Sequence, residues 1–388
     1  MKNNHWFIPK LNAIGLILLI SLTVLFLSGS LFARPQGLTF SSDLMASPSA
    51  NFSFAPVTAA PNITVVPFGG HIDFPRGLKF GPDGYLYVAQ AGMGTTSTVG
   101  LCDQVPNIGP WFGGNEGRVS KLDSQGNITL VADNFPSAFS PVGGQMGVSD
   151  IEFFGGKLYA LIGGGGCSHG HPNPADDNAV ALINPDGTHT MFANISNFVK
   201  NNETANFEPD DFEPDGTPYS MVAAKGYLFV VEPNHGQIIR IDASGNMSRL
   251  VDVSATYGHI VPTAMTYHGN LYVGNLDTFP IHVGAAQIMK VTPSGNIKTM
   301  VSGLTSVLGV AFDADSNLYA LEMSTVDNDF PVPGTGKVVR VLDNGSLETV
   351  VDGLAFPTAM TFGPDGKLYI SNWGFGPPLG QILQVTLN

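Results

Sequence analysis

The chain has 388 residues, 43% of them hydrophobic and 12% charged, which supplies a large core and excludes a disordered chain. Seventeen Lys and Arg against 31 Asp and Glu give a formal net charge of −14, which repels phosphate backbones and anionic lipid, so no nucleic-acid partner is expected. With 47 Gly and 28 Pro between short apolar runs rich in Val, Ile, Phe and Tyr, the sequence favours strands and tight turns over helices.

The N-terminus has the order of an export signal. Lys2 and Lys10 precede the apolar run Leu11 to Leu27, then come Ser28-Gly29-Ser30 and Ala33. Residues 1–33 are expected to be a signal peptide cut near Ser30 or Ala33, leaving a secreted or otherwise extracytoplasmic protein in the periplasm or at the cell surface. The alternative is an uncleaved anchor, in which case residues 11–27 alone would meet the membrane; 17 residues is short for a span. Losing the two lysines takes the charge from −14 to −16. Residues 34–61, with Ser, Ala and Pro throughout, are expected to be a flexible spacer.

From residue 62 the chain repeats itself. FGPDGYLYV at 80–88 returns as FGPDGKLYI at 362–370. Leu-aromatic pairs fall at Leu86-Tyr87, Leu158-Tyr159, Leu228-Phe229, Leu271-Tyr272, Leu318-Tyr319 and Leu368-Tyr369. Each follows a short apolar strand and a turn such as Pro82-Asp83-Gly84 or Pro364-Asp365-Gly366. Third and fourth strands follow in segments such as RVSKLDSQGNITLVAD and IIRIDASGNMSRLVD. Four strands per unit predict an all-β, six-bladed β-propeller over residues 62–388. The last unit stops at its third strand, so Ile63 to Val66 is expected to cross back and close the final blade. That crossing would make the two FGPDG stretches neighbours. The long connections at 91–116, 163–178, 276–286, 323–336 and 373–380, and the inter-blade segments 136–147 and 196–217, are all expected on one face, the natural binding face.

PRGLKFGPDGYLYVAQAG (75–92), VSDIEF (148–153), TFPIHVGAAQIMKV (278–291) and LGVAFDADSNLYALE (308–322) resemble the ScyD/ScyE family of exported bacterial proteins, which is similar to NHL-repeat propellers. The resemblance spans roughly 62–388. It implies a place in an exported-metabolite pathway of the scytonemin type and brings no catalytic residues with it. Sugar-lactonase propellers, of related architecture, hold a metal with Glu, Asn and Asp from inner positions.

Candidate site residues follow from the repeat. Aligned first strands put Asp150 where Gly77, Ser220, Ala264, Gly309 and Ala359 stand. A lone carboxylate at a crowded axis needs a cation, an arginine or backbone donors, and Arg76 is the candidate partner. Glu232, Asn275, Glu322, Asn372 and Gln90 end second strands, where they either cap the following turn or, as in sugar lactonases, reach a central ion. The acidic run 206–216, with Glu208, Asp210, Asp211, Glu213 and Asp215, is either a solvated loop or a site for a divalent cation such as Ca²⁺. Asp150, Asp210, Asp211 and Glu213 are the candidate metal ligands. Cys102 and Cys167 are the only cysteines and in an exported chain are expected to pair as a disulfide; His169 and His171 beside Cys167 are the ingredients of a softer metal site. Trp373, with Trp111, Phe112, Phe207, Phe212, Phe279, Phe330 and Phe375, places aromatics in the variable loops, for ligand stacking or for pinning the loops. Asn127, Asn246 and Asn344 begin glycosylation triplets that turn chemistry also explains. The chain lacks GxSxG, Walker, dinucleotide and HExxH motifs. The leading expectation is a propeller binding a small molecule, glycan or protein on its long-loop face, with a metal-dependent hydrolase or lyase and a cell-surface scaffold as alternatives.

Overall fold

The computed structural model describes residues 56–98, 101, 109–207 and 212–387. The chain divides into units 1–38 and 39–388, and all described residues belong to the second. That unit is a β-propeller assembled from antiparallel meanders. The first is Pro75–Phe80, Leu86–Gly92, Phe112–Leu122 and Ile128–Ser140; the second is Gly144–Phe154, Lys157–Ile162, Ala179–Ile183 and His189–Asn194. The third is Ser220–Ala224, Tyr227–Glu232, Gln237–Ile241 and Met247–Asp252, and the fourth Pro262–His268, Asn270–Asn275, Ala286–Val291 and Ile297–Leu304. The fifth is Val307–Phe312, Leu318–Glu322, Gly336–Val341 and Leu347–Leu354. The sixth, Ala359–Phe362, Leu368–Asn372 and Gln381–Thr386, takes its outer strand from Thr64–Pro67, with Val65 opposite Val385. The expected closure by the N-terminal strand is therefore observed.

The repeated FGPDG stretch has a local cause. In its first copy Gly84 turns the chain at φ +80°, and Asp83 accepts hydrogen bonds from Tyr85 N (3.3 Å) and the Tyr87 hydroxyl (2.9 Å). In the second, Gly366 at φ +75° and Asp365, bonded to Lys367 N and the Tyr369 hydroxyl, repeat the device. The two copies are neighbours: Phe80 meets Tyr369 edge-on, 5.1 Å between ring centres.

Side chains alternate along each strand, so every meander is apolar on both faces and packs against two neighbours. Leu161, Val180, Leu228 and Ile239 fill the seam between second and third meanders; Val231, Ile238, Leu271 and Met289 fill the next. The seam joining the sixth meander back to the first holds Ile72, Leu78, Val88, Tyr369 and Ile382, so the ring closes on apolar contact. Each fully buried Leu or Ile contributes about 1.5–3 kcal/mol.

Two segments differ from expectation. Residues 136–147, expected as a wide loop, are the end of one long strand and the start of the next. Ser137 and Ala138 are fully buried there, as is Phe135 just before them, and burial keeps the segment extended and joins the first two meanders in one nine-stranded sheet. Within the expected spacer 34–61, Thr58–Ala59 add a strand to the outer edge of the fifth meander, Thr58 opposite Asp352. That edge offers unpaired backbone groups, which an adjoining strand satisfies. Residues 196–217 carry a short helix, Ile195–Lys200, capped by Asn194.

Candidate functional site

The first strands of the meanders stand around the axis and enclose a cavity of about 110 Å³, room for several water molecules. Its walls are residues 77–79, 149–151, 219–222, 264–266, 308–311 and 358–361. Pairing with the second strand shifts register between Pro75 and Leu78, Val148 and Asp150, Pro262 and Met265, and Val307 and Gly309. The extra residue at each bulge re-aims the chain toward the axis. Small residues are required there: a Cβ on Gly77 would lie 2.0 Å from Asp150 Oδ1.

Asp150 faces the cavity, so it is half-buried by accessible area while remaining deep in the protein. Ile151 N donates to its Oδ1 (2.9 Å) and Met221 N to its Oδ2 (2.8 Å). Burial outweighs these donors and, with the nearby Glu152 charge adding to it, pushes the carboxyl up to about 7. Backbone donors, one of the expected partners, are found. Arg76 is not its ion-pair partner, a correction to the sequence reading: its Nη2 donates to the Gln145 carbonyl, and its guanidinium lies beside Tyr219. The Tyr219 hydroxyl in turn donates to Thr358 O at 2.7 Å, reaching from the third meander to the chain entering the sixth. Tyr219 thus crosses the axis at the long-loop end of the cavity. Gln145 locks the same end, its side-chain amide bonding both Gly376 N and Gly376 O at 3.0 Å. Lower on the wall, Lys79 Nζ pairs with Glu152 Oε2 at 2.7 Å.

The polar residues ending the second strands are spent on backbone. Glu232 accepts from Thr217 N, Asn234 N and His235 N; Asn275 accepts from Gln287 N and donates to Ile260 O. Glu322 accepts from Thr305 N at 2.6 Å and lies 3.5 Å from Lys337 Nζ; burial raises it. Asn372 accepts from Ala355 N, and Gln90 donates to Asp73 O. Each bond except that of Asn275 to Gln287 and those of Glu232 to Asn234 and His235 reaches back to the segment entering the same meander. The shared position therefore serves as a structural tie.

The acidic run and the CSHGH stretch, read separately in the sequence, meet in the structure. His169 Nδ1 lies 2.9 Å from Gly165 O and Nε2 3.3 Å from Glu213 Oε2, all buried. Burial works to lower His169, but the Glu213 carboxylate carries it above the ordinary imidazole range. Asp215 accepts from Ser168 N and Ser168 Oγ at 2.8 Å and pairs with Lys200. His171 Nε2 faces Ser137 O at 2.8 Å. Glu208, Asp210, Asp211 and Cys102 lie outside the described residues. Among the described residues no three His, Cys, Asp or Glu side chains are placed to hold a metal.

The loop aromatics divide into two kinds. Trp373, expected on the ligand face, is 7% exposed and packs edge-on against Phe356 in a cluster with Ala355 and Phe375, because its backbone at φ +57° turns the ring inward. Trp111 is buried against His169, 4.9 Å between rings. Phe279 and Phe330 are exposed, at 45% and 39%, with ring centres 5.8 Å apart. They sit on the long loops of the fourth and fifth meanders, which an Ile281–Asn328 bridge joins. Asn127 and Asn246 bond Asp123 and Asp242 across their turns, as turn chemistry requires.

Sequence reasoning missed Tyr219. Its signal was one column away: the residues before the small axial ones are Arg76, Ser149, Tyr219, Thr263, Leu308 and Thr358, and two of these are large and polar. The His169–Glu213 contact had no such signal, since 44 residues separate the partners in different repeats.

No family model and no curated relative matches the chain. Solved structures do resemble it. A protein of unknown function from Bacteroides thetaiotaomicron is 12% identical with a TM-score of 0.53, the match covering 85% of this chain and 76% of that one. A gluconolactonase from Xanthomonas campestris is 11% identical, TM-score 0.51, with 86% and 99% covered. A glucose dehydrogenase is 12% identical, TM-score 0.50, with 84% and 100% covered. At such identities the likeness concerns the fold, and the fold it supports is the β-propeller.

Proposed function

We propose that the chain is an exported six-bladed β-propeller of the ScyD/ScyE type that binds a small molecule or glycan with a flat apolar face on its long-loop side. The observation that carries this reading is the exposed pair Phe279 and Phe330, held on two loops tied by the Ile281–Asn328 bridge. Exposed rings on a rigid mount give stacking area at little entropic cost. The family resemblance supports a place in an exported-metabolite pathway, and Lys2, Lys10 and the apolar run 11–27 support export. Among the described residues no helix is long and apolar enough to cross a membrane. The Cys102–Cys167 disulfide belongs to the same proposal, as a clasp between two loops of the binding face. The test is a screen of planar aromatic compounds and of glycans against the purified protein and against Phe279→Ser/Phe330→Ser. Binding that the double variant loses supports the reading; no binding in either class, or binding indifferent to the variant, refutes it.

A second reading, hydrolase or lyase, draws on Asp150, whose carboxyl near 7 faces a cavity and is poised to exchange a proton around neutral pH. Its metal-dependent form is weakened because Glu232, Asn275 and Glu322 are engaged by backbone and lysine.

A further inference from the structure

Among the described residues the charge on Arg76 has no carboxylate partner. A guanidinium carries five N–H donors. The Gln145 carbonyl takes one, and the Tyr219 hydroxyl, which donates its own proton to Thr358 O, accepts from the guanidinium. The protein's ion pairs among described residues join other side chains, and Arg76 is in none of them. Asp150, the carboxylate one level below on the axis, is held instead by Ile151 N and Met221 N. In a chain with 31 acidic residues and 17 basic ones, leaving an arginine unpaired is not a shortage of partners. Nor is Arg76 in open solvent, where water would satisfy it: it is half-buried beside Gln145 and Tyr219, and the Ser371 hydroxyl, on the second strand of the sixth meander, bonds its backbone carbonyl at 2.7 Å. Burial accordingly lowers its pKa, against the pull of Tyr219. An unpaired, partly desolvated cation is costly to a fold and gains strongly from an incoming anion.

We propose that Arg76 is the anchor for a carboxylate group of a small-molecule ligand, bound at the long-loop mouth of the axis above Tyr219. The inference rests on the reading that this face binds ligand, and it adds the ligand's chemical class: an anionic acid. Tyr219 and Gln145 are positioning residues. The first closes the long-loop end of the axial cavity beneath the anion, and the second fixes the guanidinium through its carbonyl while its amide is clamped on Gly376. Arginine suits this role because its planar fork meets a carboxylate with two parallel hydrogen bonds.

The test uses benzoate as probe and benzamide, its neutral isostere, as control, in calorimetric titrations of the full folded domain. Wild type is expected to bind benzoate saturably with a Kd of about 1 mM or tighter and benzamide about tenfold or more weakly. Arg76→Gln is expected to lose about tenfold or more in benzoate affinity and nothing for benzamide, while Arg76→Lys, which keeps the charge and loses the fork, falls between. Equal affinities for the two probes in wild type, no saturable binding of benzoate, or unchanged benzoate affinity in a folded Arg76→Gln overturns the proposal. If Arg76→Gln does not fold, the benzoate and benzamide pair on wild type still decides. Phe279→Ser/Phe330→Ser separates the two claims: with Arg76 as anchor the variant keeps the preference for benzoate over benzamide, and loss of that preference in it overturns the assignment.

Discussion

Replacing Asp150 by Asn should make the protein less sensitive to alkaline pH. The carboxyl is raised from its ordinary 3.8 to about 7 by burial at the axis, so the folded state holds its proton more tightly than the unfolded chain does. The stability associated with the protonated form is complete below 3.8 and is lost as pH rises to about 7. Each decade in that window costs about 1.4 kcal/mol, which gives about 1.6 kcal/mol at pH 5 and about 4 kcal/mol at pH 8. These are upper figures, because the cavity beside the carboxyl has room for water that would soften the desolvation. Asn keeps the shape without the charge. It gives up one acceptor for either Ile151 N or Met221 N, an offset of about 1 kcal/mol that does not vary with pH. Urea unfolding of both proteins at pH 5 and pH 8 should therefore show the variant gaining on wild type by up to about 3 kcal/mol between the two conditions. A difference between the proteins that stays constant across this range would refute the assignment of a desolvated, unpaired carboxylate.

Four further outcomes follow from the contacts. Glu232→Ala leaves the N–H groups of Thr217, Asn234 and His235 without their acceptor and should cost about 3 kcal/mol or more, read as a lowered melting temperature. Gln145→Ala removes both bonds to Gly376 and should cost about 2 kcal/mol, with faster amide exchange at 373–380 as the local sign. Gly77→Ala brings a Cβ to 2.0 Å from Asp150 Oδ1 and 2.7 Å from its Cα, so destabilisation of about 3 kcal/mol is expected in a denaturant titration. Intact mass of the non-reduced protein should be two hydrogens lighter than the reduced form if Cys102 and Cys167 pair; equal masses would exclude the disulfide.

The propeller was legible because its units are written in local chemistry. Pro-Asp-Gly turns, Leu-Tyr strands and the missing last strand are each confined to a few residues, and each has one structural solution, down to the return of Thr64–Pro67. The axial column was legible for the same reason: close approach at the bulges admits little beyond Gly, Ala or Ser, so Asp150 stood out. What the sequence could not convey was direction. Arg76 and Asp150 carry opposite charges in neighbouring repeats, yet the bulge turns one toward the Gln145 carbonyl and the other toward backbone N–H groups. Trp373 was ambiguous in the same way, since a loop aromatic faces solvent or core according to a backbone angle that no local pattern specifies.

The axis is also where the fold breaks its own rules. Apart from Asp150 the aligned axial residues are small, and second-strand polar residues are fully engaged, so stability is served almost everywhere by repetition. At one end of the cavity, repetition stops. An arginine stands without a carboxylate partner among the described residues, a tyrosine reaches across the ring to Thr358, and a carboxyl is held near 7 by burial. Each of these is costly, and a scaffold assembled from repeats already contained the cheaper alternative at the same position in another unit. Local departures of this sort mark places where selection acts on something other than stability. Here they gather beneath the long loops, on the face that also exposes Phe279 and Phe330, which is why the ligand is sought there and why its anionic group is assigned to Arg76.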